Sequence, residues 1–285
     1  MNDRPKMLLA LQKAPSSVEL VDQASAWAER LGHTLHLTTI VERRRGVDPF
    51  RNMDGLNRAE NPSIPRETKY WLNEMLDRVP VAVRGGIEIV LGDTTPALVN
   101  ASAGVDLLVM GSHHRANAAR LFLGSVAEAV VRGAQCSVMV LSTGSRSLPV
   151  DGSVKVRLPI DPSRPDTAGI DWLAQNMPKA DATAVYAVPW LRIFGPNPQS
   201  GTRVFNAASE ALRTALEQAG HGAVAQLVVI REEGNSGDAI ASEAAEAHAD
   251  LIVLPTQRRS GPLRAVLGSV AERTVRAATM AVVVV

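Results

Sequence analysis

Apolar positions along this chain come in short dense runs, separated by stretches with helical spacing. In the first half the runs are Lys6–Leu11, Thr34–Val41, Gly86–Leu91, Leu107–Met110 and Ser137–Leu141. In the second they are Val154–Ile160, Ala182–Val188, Gln226–Ile230, Leu251–Leu254 and Ala281–Val285. Val, Ile and Leu fill consecutive positions in these runs, which predicts strands buried on both faces, as in a parallel sheet covered by helices. Helices are expected at Ser17–Leu31, Arg66–Arg78, Pro96–Ala103 and Val126–Gly133, with counterparts in the second half. Ser16 and Glu19 stand at capping-box spacing. Thr95-Pro96 reads as an N-cap threonine ahead of a proline at the first helical position.

The two halves repeat. Setting Asp106 against Asp250, an offset of 144, aligns 36 positions without a gap to the C-terminus, and 16 are identical. The densest match is Leu123-Gly-Ser-Val-Ala-Glu128 with Leu267-Gly-Ser-Val-Ala-Glu272. Lys6–Gln12 corresponds more loosely to Lys155–Asp161, and Thr34–Val41 to Thr183–Trp190. A period this long is a duplicated domain, since solenoid units run at about 20–50 residues. The pattern predicts an α/β fold of two tandem doubly wound, Rossmann-like domains, each a five-stranded parallel sheet flanked by helices. Their expected extents are residues 1–142 and 153–285, joined by a Ser/Gly/Pro-bearing linker at 143–152. Glu42–Pro65 and Leu191–Gly201 interrupt the pattern after the second strand of each half, and read either as lids or as variable loops.

Composition narrows the function. With 30 Lys plus Arg against 29 Asp plus Glu, the formal net charge of +1 argues against a dedicated nucleic-acid binder. A single cysteine, Cys136, excludes an internal disulfide and a multi-cysteine metal site, and a buried, inert thiol is expected there. No run approaches the ~18 apolar residues of a membrane span, and the early run Met7–Leu11 is too short for a signal peptide. A cytoplasmic protein without membrane contact is expected.

The loop after the fourth strand carries the most specific chemistry. It reads Gly111, two residues, His114, nine residues, then Gly124-Ser125. Its counterpart reads Pro255, two residues, Arg258, nine residues, then Gly268-Ser269. With Gly92-Asp93 leading to Pro96, the aspartate before the fourth strand and the closing apolar strand, the chain resembles the universal stress protein family in its tandem form. That family's signature is Gly-x2-Gly-x9-Gly-Ser/Thr, so His114 replaces its second glycine, and Pro255 and Arg258 its first two. The resemblance implies an adenine nucleotide alpha hydrolase-like fold and a stress-response binding or regulatory module. It also implies that ATP or another adenine nucleotide is held by backbone amides at the loop glycines, together with an acidic residue after the first strand.

On that resemblance the first-half candidates are Gln12, Gly111, His114, Gly124, Ser125 and Val126, and the second-half candidates are Asp161, Arg258, Gly268, Ser269 and Val270. Gln12 lacks the carboxylate that Asp161 keeps, whereas the first half keeps Gly111 as well as Gly124. Pro255 has no N–H to offer. Any nucleotide is therefore expected in the first half. Gly124-Ser125-Val-Ala-Glu128 and its repeat read either as an anion site at a helix N-terminus or as a capping box with Ser at the N-cap. His113, His114, Arg115 and Arg120, like Gln257, Arg258, Arg259 and Arg264, are either phosphate partners or solvated loop charges. No metal site is expected, and His33 and His36 read as structural. No phosphate loop, dinucleotide fingerprint, nucleophile elbow or metal helix occurs in the sequence, so an enzyme is not expected. The alternatives are a ligand-free scaffold working through an unknown protein partner, and a slow nucleotide hydrolase without an evident base. The resemblance further implies that the last strands of the halves pair within the chain as a pseudo-dimer. A homodimer of the two-domain chain is a further expectation.

Overall fold

The structure, a computed structural model, describes residues 4–42, 64–112, 124–146, 148–149, 152–161, 166–189, 206–207, 209–210, 213–214, 224–232, 234–255 and 268–285. The chain divides into two compact units: Met1–Gly111 with Ala134–Cys136, and Ser112–Gly133 with Ser137–Val285.

The first unit alternates strand and helix: β1 (Lys6–Ala10), α1 (Ser17–Leu31), β2 (Thr34–Val41), α2 (Arg66–Arg78), β3 (Arg84–Leu91), α3 (Thr94–Ala101), then β4 (Leu107–Ser112). Its strands run parallel in the order β3-β2-β1-β4. Consecutive apolar residues serve both faces, so Met7, Leu8 and Leu9 of β1 are all buried. Apolar spacing on α1 sends Leu20, Val21, Ala24, Trp27, Ala28 and Leu31 inward. Gly32 then ends the helix in the left-handed region at φ 69°, its N–H reaching the carbonyls of Ala28 and Glu29.

The second unit holds α4 (Ser125–Gly133), β5 (Ser137–Ser142), β6 (Lys155–Pro159), α5 (Ala168–Asn176), β7 (Asp181–Pro189), β8 (Val224–Glu232), α6 (Ser236–Glu246), β9 (Leu251–Leu254), α7 (Ser269–Ala277) and β10 (Ala281–Val284). Its strand order is β5-β10-β9-β6-β7-β8. Neighbours from β10 to β8 are parallel, and β5 against β10 is antiparallel. Val140, Met139 and Val138 register with Val282, Val283 and Val284, all nearly without exposure. The expected pairing of the final strands is thus present. It explains why α4 and β5, first-repeat segments by sequence, join the compact unit of the second repeat.

The aspartate before the fourth strand of each repeat has a structural duty. Asp106 Oδ2 accepts the Lys6 N–H at 2.6 Å, and Asp250 Oδ2 accepts that of Lys155 at 2.9 Å. Each aspartate returns its own N–H to the same lysine's carbonyl at 2.9 Å. The first and fourth strands of each repeat are fastened together in this way.

Candidate functional site

Both copies of Gly-Ser-Val-Ala-Glu begin a helix, but neither serine caps it. The N-cap of α7 is Gly268, whose carbonyl accepts the Glu272 N–H at 2.9 Å, and Gly124 does the same for Glu128 at 3.0 Å. Ser125 and Ser269 are first helical residues, and both are exposed. The capping-box expectation is therefore corrected, because the glutamates are engaged elsewhere. Glu128 accepts from Arg132 at 2.7 Å and Arg276 at 3.1 Å, while Glu272 accepts from Arg276 at 2.8 Å and Arg132 at 3.2 Å. Four charges thus interlock α4 with α7, each arginine bridging both glutamates. The Glu-x3-Arg spacing in both halves was the available signal for this cluster.

Two other caps differ from expectation. The N-cap of α3 is Asp93 rather than Thr95, which places Pro96 at the third helical position. First-turn amides need no helical partner, so proline is tolerated there. Ser16 is the N-cap of α1 but its side chain makes no cap bond. Ser17 acts instead: its Oγ donates to Gln12 O at 2.7 Å and accepts the Ala14 N–H at 3.1 Å, closing the loop after β1 onto the helix.

The two repeats present different candidate surfaces. In the first unit, Gln12 is exposed just after β1. Gly111 has a packing requirement of its own, since a Cβ there would lie 2.5 Å from Leu20 Cδ1. Gly124 and Val126 belong to the second unit. Among the described residues, nothing lies within 4 Å of where a Cβ would stand on Gly124, and the same holds for Gly268. In the second unit, Asp161 follows β6 and is exposed. Ile160 N–H donates to Val185 O at 2.9 Å, which sets Asp161 beside β7. Burial pushes the Tyr186 hydroxyl above its ordinary value, and the charge of Asp161 adds to the effect. Pro255 ends β9 against the start of α5, its Cδ 3.8 Å from the Cβ position of Gly169. Ser269 and Val270 open α7 and are exposed.

His114 and Arg258, with the other basic residues of both loops, lie outside the described residues, as do Leu191–Gly201 and most of Glu42–Pro65. His33 is buried with a ring nitrogen 3.0 Å from Leu31 O. Cys136 is half-buried rather than buried, because it stands one residue before β5. Among the described residues no cluster of metal-ligating side chains occurs. No helix among them is long and apolar enough to cross a membrane.

Comparison with solved structures places this architecture. A functionally unknown protein from Pseudomonas aeruginosa PAO1 superposes with a TM-score of 0.66 at 17% identity, over 99% of this chain and 92% of that one. A universal stress protein from Archaeoglobus fulgidus DSM 4304 gives 0.62 at 16% identity, over 98% and 95%. At such identities the likeness establishes the fold. The sequence model of the universal stress protein family matches residues 4–142 and again 155–285. Two matches spanning nearly the whole length establish that the chain belongs to the universal stress protein family, with two of its domains in tandem.

Proposed function

We propose that this chain is a cytoplasmic stress-response regulatory module that binds an adenine nucleotide, ATP in the first instance, at its second repeat. The observation that carries the reading is the open start of α7. Among the described residues nothing lies within 4 Å of where a Cβ on Gly268 would stand and no side chain caps the first turn, and the exposed Asp161 belongs to the same compact unit. First-turn amides and the positive end of the helix dipole suit a phosphate. An exposed carboxylate suits a sugar hydroxyl, and Ser269 and Val270 form the first turn of α7. Gly111 favours the first repeat less than its sequence position implies, because its closeness to Leu20 is a packing reason for a glycine there. With the two open glycines equal, Asp161 against Gln12 decides. Binding without turnover is the reading. A homodimer of the full chain belongs to the same reading.

A ligand-free scaffold is the second reading, favoured by Pro255, which removes one amide from the second loop. Heat release of bound nucleotide from the purified chain, followed by chromatography and direct titration with ATP, separates the two. The proposal expects released adenine nucleotide or saturable binding. Neither at millimolar ATP would leave the scaffold.

A further inference from the structure

One irregularity in the first unit places a titratable ring inside the strand pairing. Leu35 of β2 registers with Arg84 of β3, but Leu37 registers with Ile87, so His36 faces two residues, Gly85 and Gly86. A bulge of this kind leaves a backbone group outside the ladder. His36 fills the gap: Gly86 N–H donates to His36 Nδ1 at 3.1 Å. The seat is close, for a Cβ on Gly85 would lie 2.6 Å from His36 Cδ2 and 2.7 Å from Leu35 O. Because Nδ1 accepts, the ring is neutral and carries its proton on Nε2.

The surroundings leave that proton balance in the hands of few charges. The closeness of Leu20 to Gly111 sets α1 on the face of Val109, which the register carries through Leu9 to Leu37. His36, registered with Leu8, lies on the opposite face. Among the described residues, Lys6 from β1 and Glu88 from β3 are the charged groups that act on it. The return crossover α3, on that face by its handedness, contains no ionisable side chain, whereas the charges of α1 and α2 belong to the other face. Burial, with Lys6 assisting and Glu88 opposing, holds the imidazole below its ordinary value of 6.5.

We propose that His36 is a proton-operated latch on β3, the terminal strand in the first unit's sheet order: protonating Nδ1 sets one N–H against another and frees the strand around Gly85 and Gly86. An edge strand released in this way exposes pairing groups that the neutral ring keeps covered.

Amide hydrogen exchange on the full chain, followed residue by residue by NMR from about pH 7 to about pH 5, tests this across the range where histidine titrates. After correction for intrinsic exchange, Gly86 should lose about tenfold of its protection, the scale of one hydrogen bond, with a midpoint following the His36 ring. Leu108, in the β1–β4 pairing, should not change. His36→Asn puts a non-titrating oxygen near the position of Nδ1 and should hold Gly86 protected at both ends, whereas His36→Leu should leave it unprotected at both. Constant Gly86 protection while His36 titrates, or an unchanged pH dependence in His36→Asn, would overturn the latch.

Discussion

Glycines show most sharply how one residue answers to the whole fold. Gly237 opens α6 where a Cβ would lie 2.6 Å from Val270 O and 2.9 Å from Thr274 N, both backbone atoms of α7. Backbone cannot turn aside, so Gly237→Ala should lower stability by about 1–3 kcal/mol in chemical denaturation. Gly111→Ala meets the tip of Leu20, a side chain that can rotate, and its loss should be the smaller of the two. A Gly237→Ala protein as stable as the parent would show that α6 and α7 separate freely. Neither contact is legible in the sequence. Gly111 lies 91 positions from Leu20, and within its motif it looks like a ligand residue alone.

At the scale of elements, the apolar runs were legible because burial on two faces leaves few alternatives. The structural limits of α1, β2 and α2 coincide with those read from the chain. Caps were less legible, because neighbouring residues compete for the cap position, as Ser17 does with Ser16 and Asp93 with Thr95, and because Glu128 and Glu272 each pair with an arginine of their own helix and one of the other. One departure from the repeat is an ion pair between β6 and α6. Arg157 Nε lies 3.0 Å from Glu243 Oε1, with the two side chains 11% and 15% exposed. The position aligned with Arg157 in the first repeat is Leu8, and with the N-caps Asp93 and Asn235 matched, Glu243 falls on Ala101. Removing one partner strands a buried charge, so Glu243→Ala should cost about 3–5 kcal/mol, and Arg157→Leu with Glu243→Ala should recover most of it. A double variant as unstable as the single would contradict this account. The cluster between α4 and α7 is more exposed. A double-mutant cycle on Arg132 and Glu272 should therefore give a coupling below about 1 kcal/mol that fades in molar salt.

For the whole molecule, the duplication was readable from the repeat and the family from its motif, while the pairing of β5 with β10 followed from the family resemblance and is present in the fold. What the sequence does not show is the closeness of Gly111 to Leu20, which gives that motif glycine a packing reason of its own. One property of the folded chain follows from the neutral His36. The unfolded chain takes up that proton near the ordinary value of 6.5 and the folded chain only below it. Stability should therefore be full above that value, fall as the pH drops through it, and level off once the folded ring is protonated. Thermal unfolding of the first unit across this range should show the fall, and His36→Asn should flatten it. The central claim, a nucleotide site at the start of α7, is tested most directly by titrating ATP into paired glycine variants. Aspartate is a favourable N-cap, so Gly268→Asp keeps the helix while placing its own carboxylate where a phosphate would sit. Loss of charge-assisted bonds of about 1.5–3 kcal/mol each predicts that Gly268→Asp weakens ATP binding by at least ~10-fold, while Gly124→Asp leaves most of it. Abolition by Gly124→Asp with Gly268→Asp unaffected would contradict the account and assign the ligand to the first repeat.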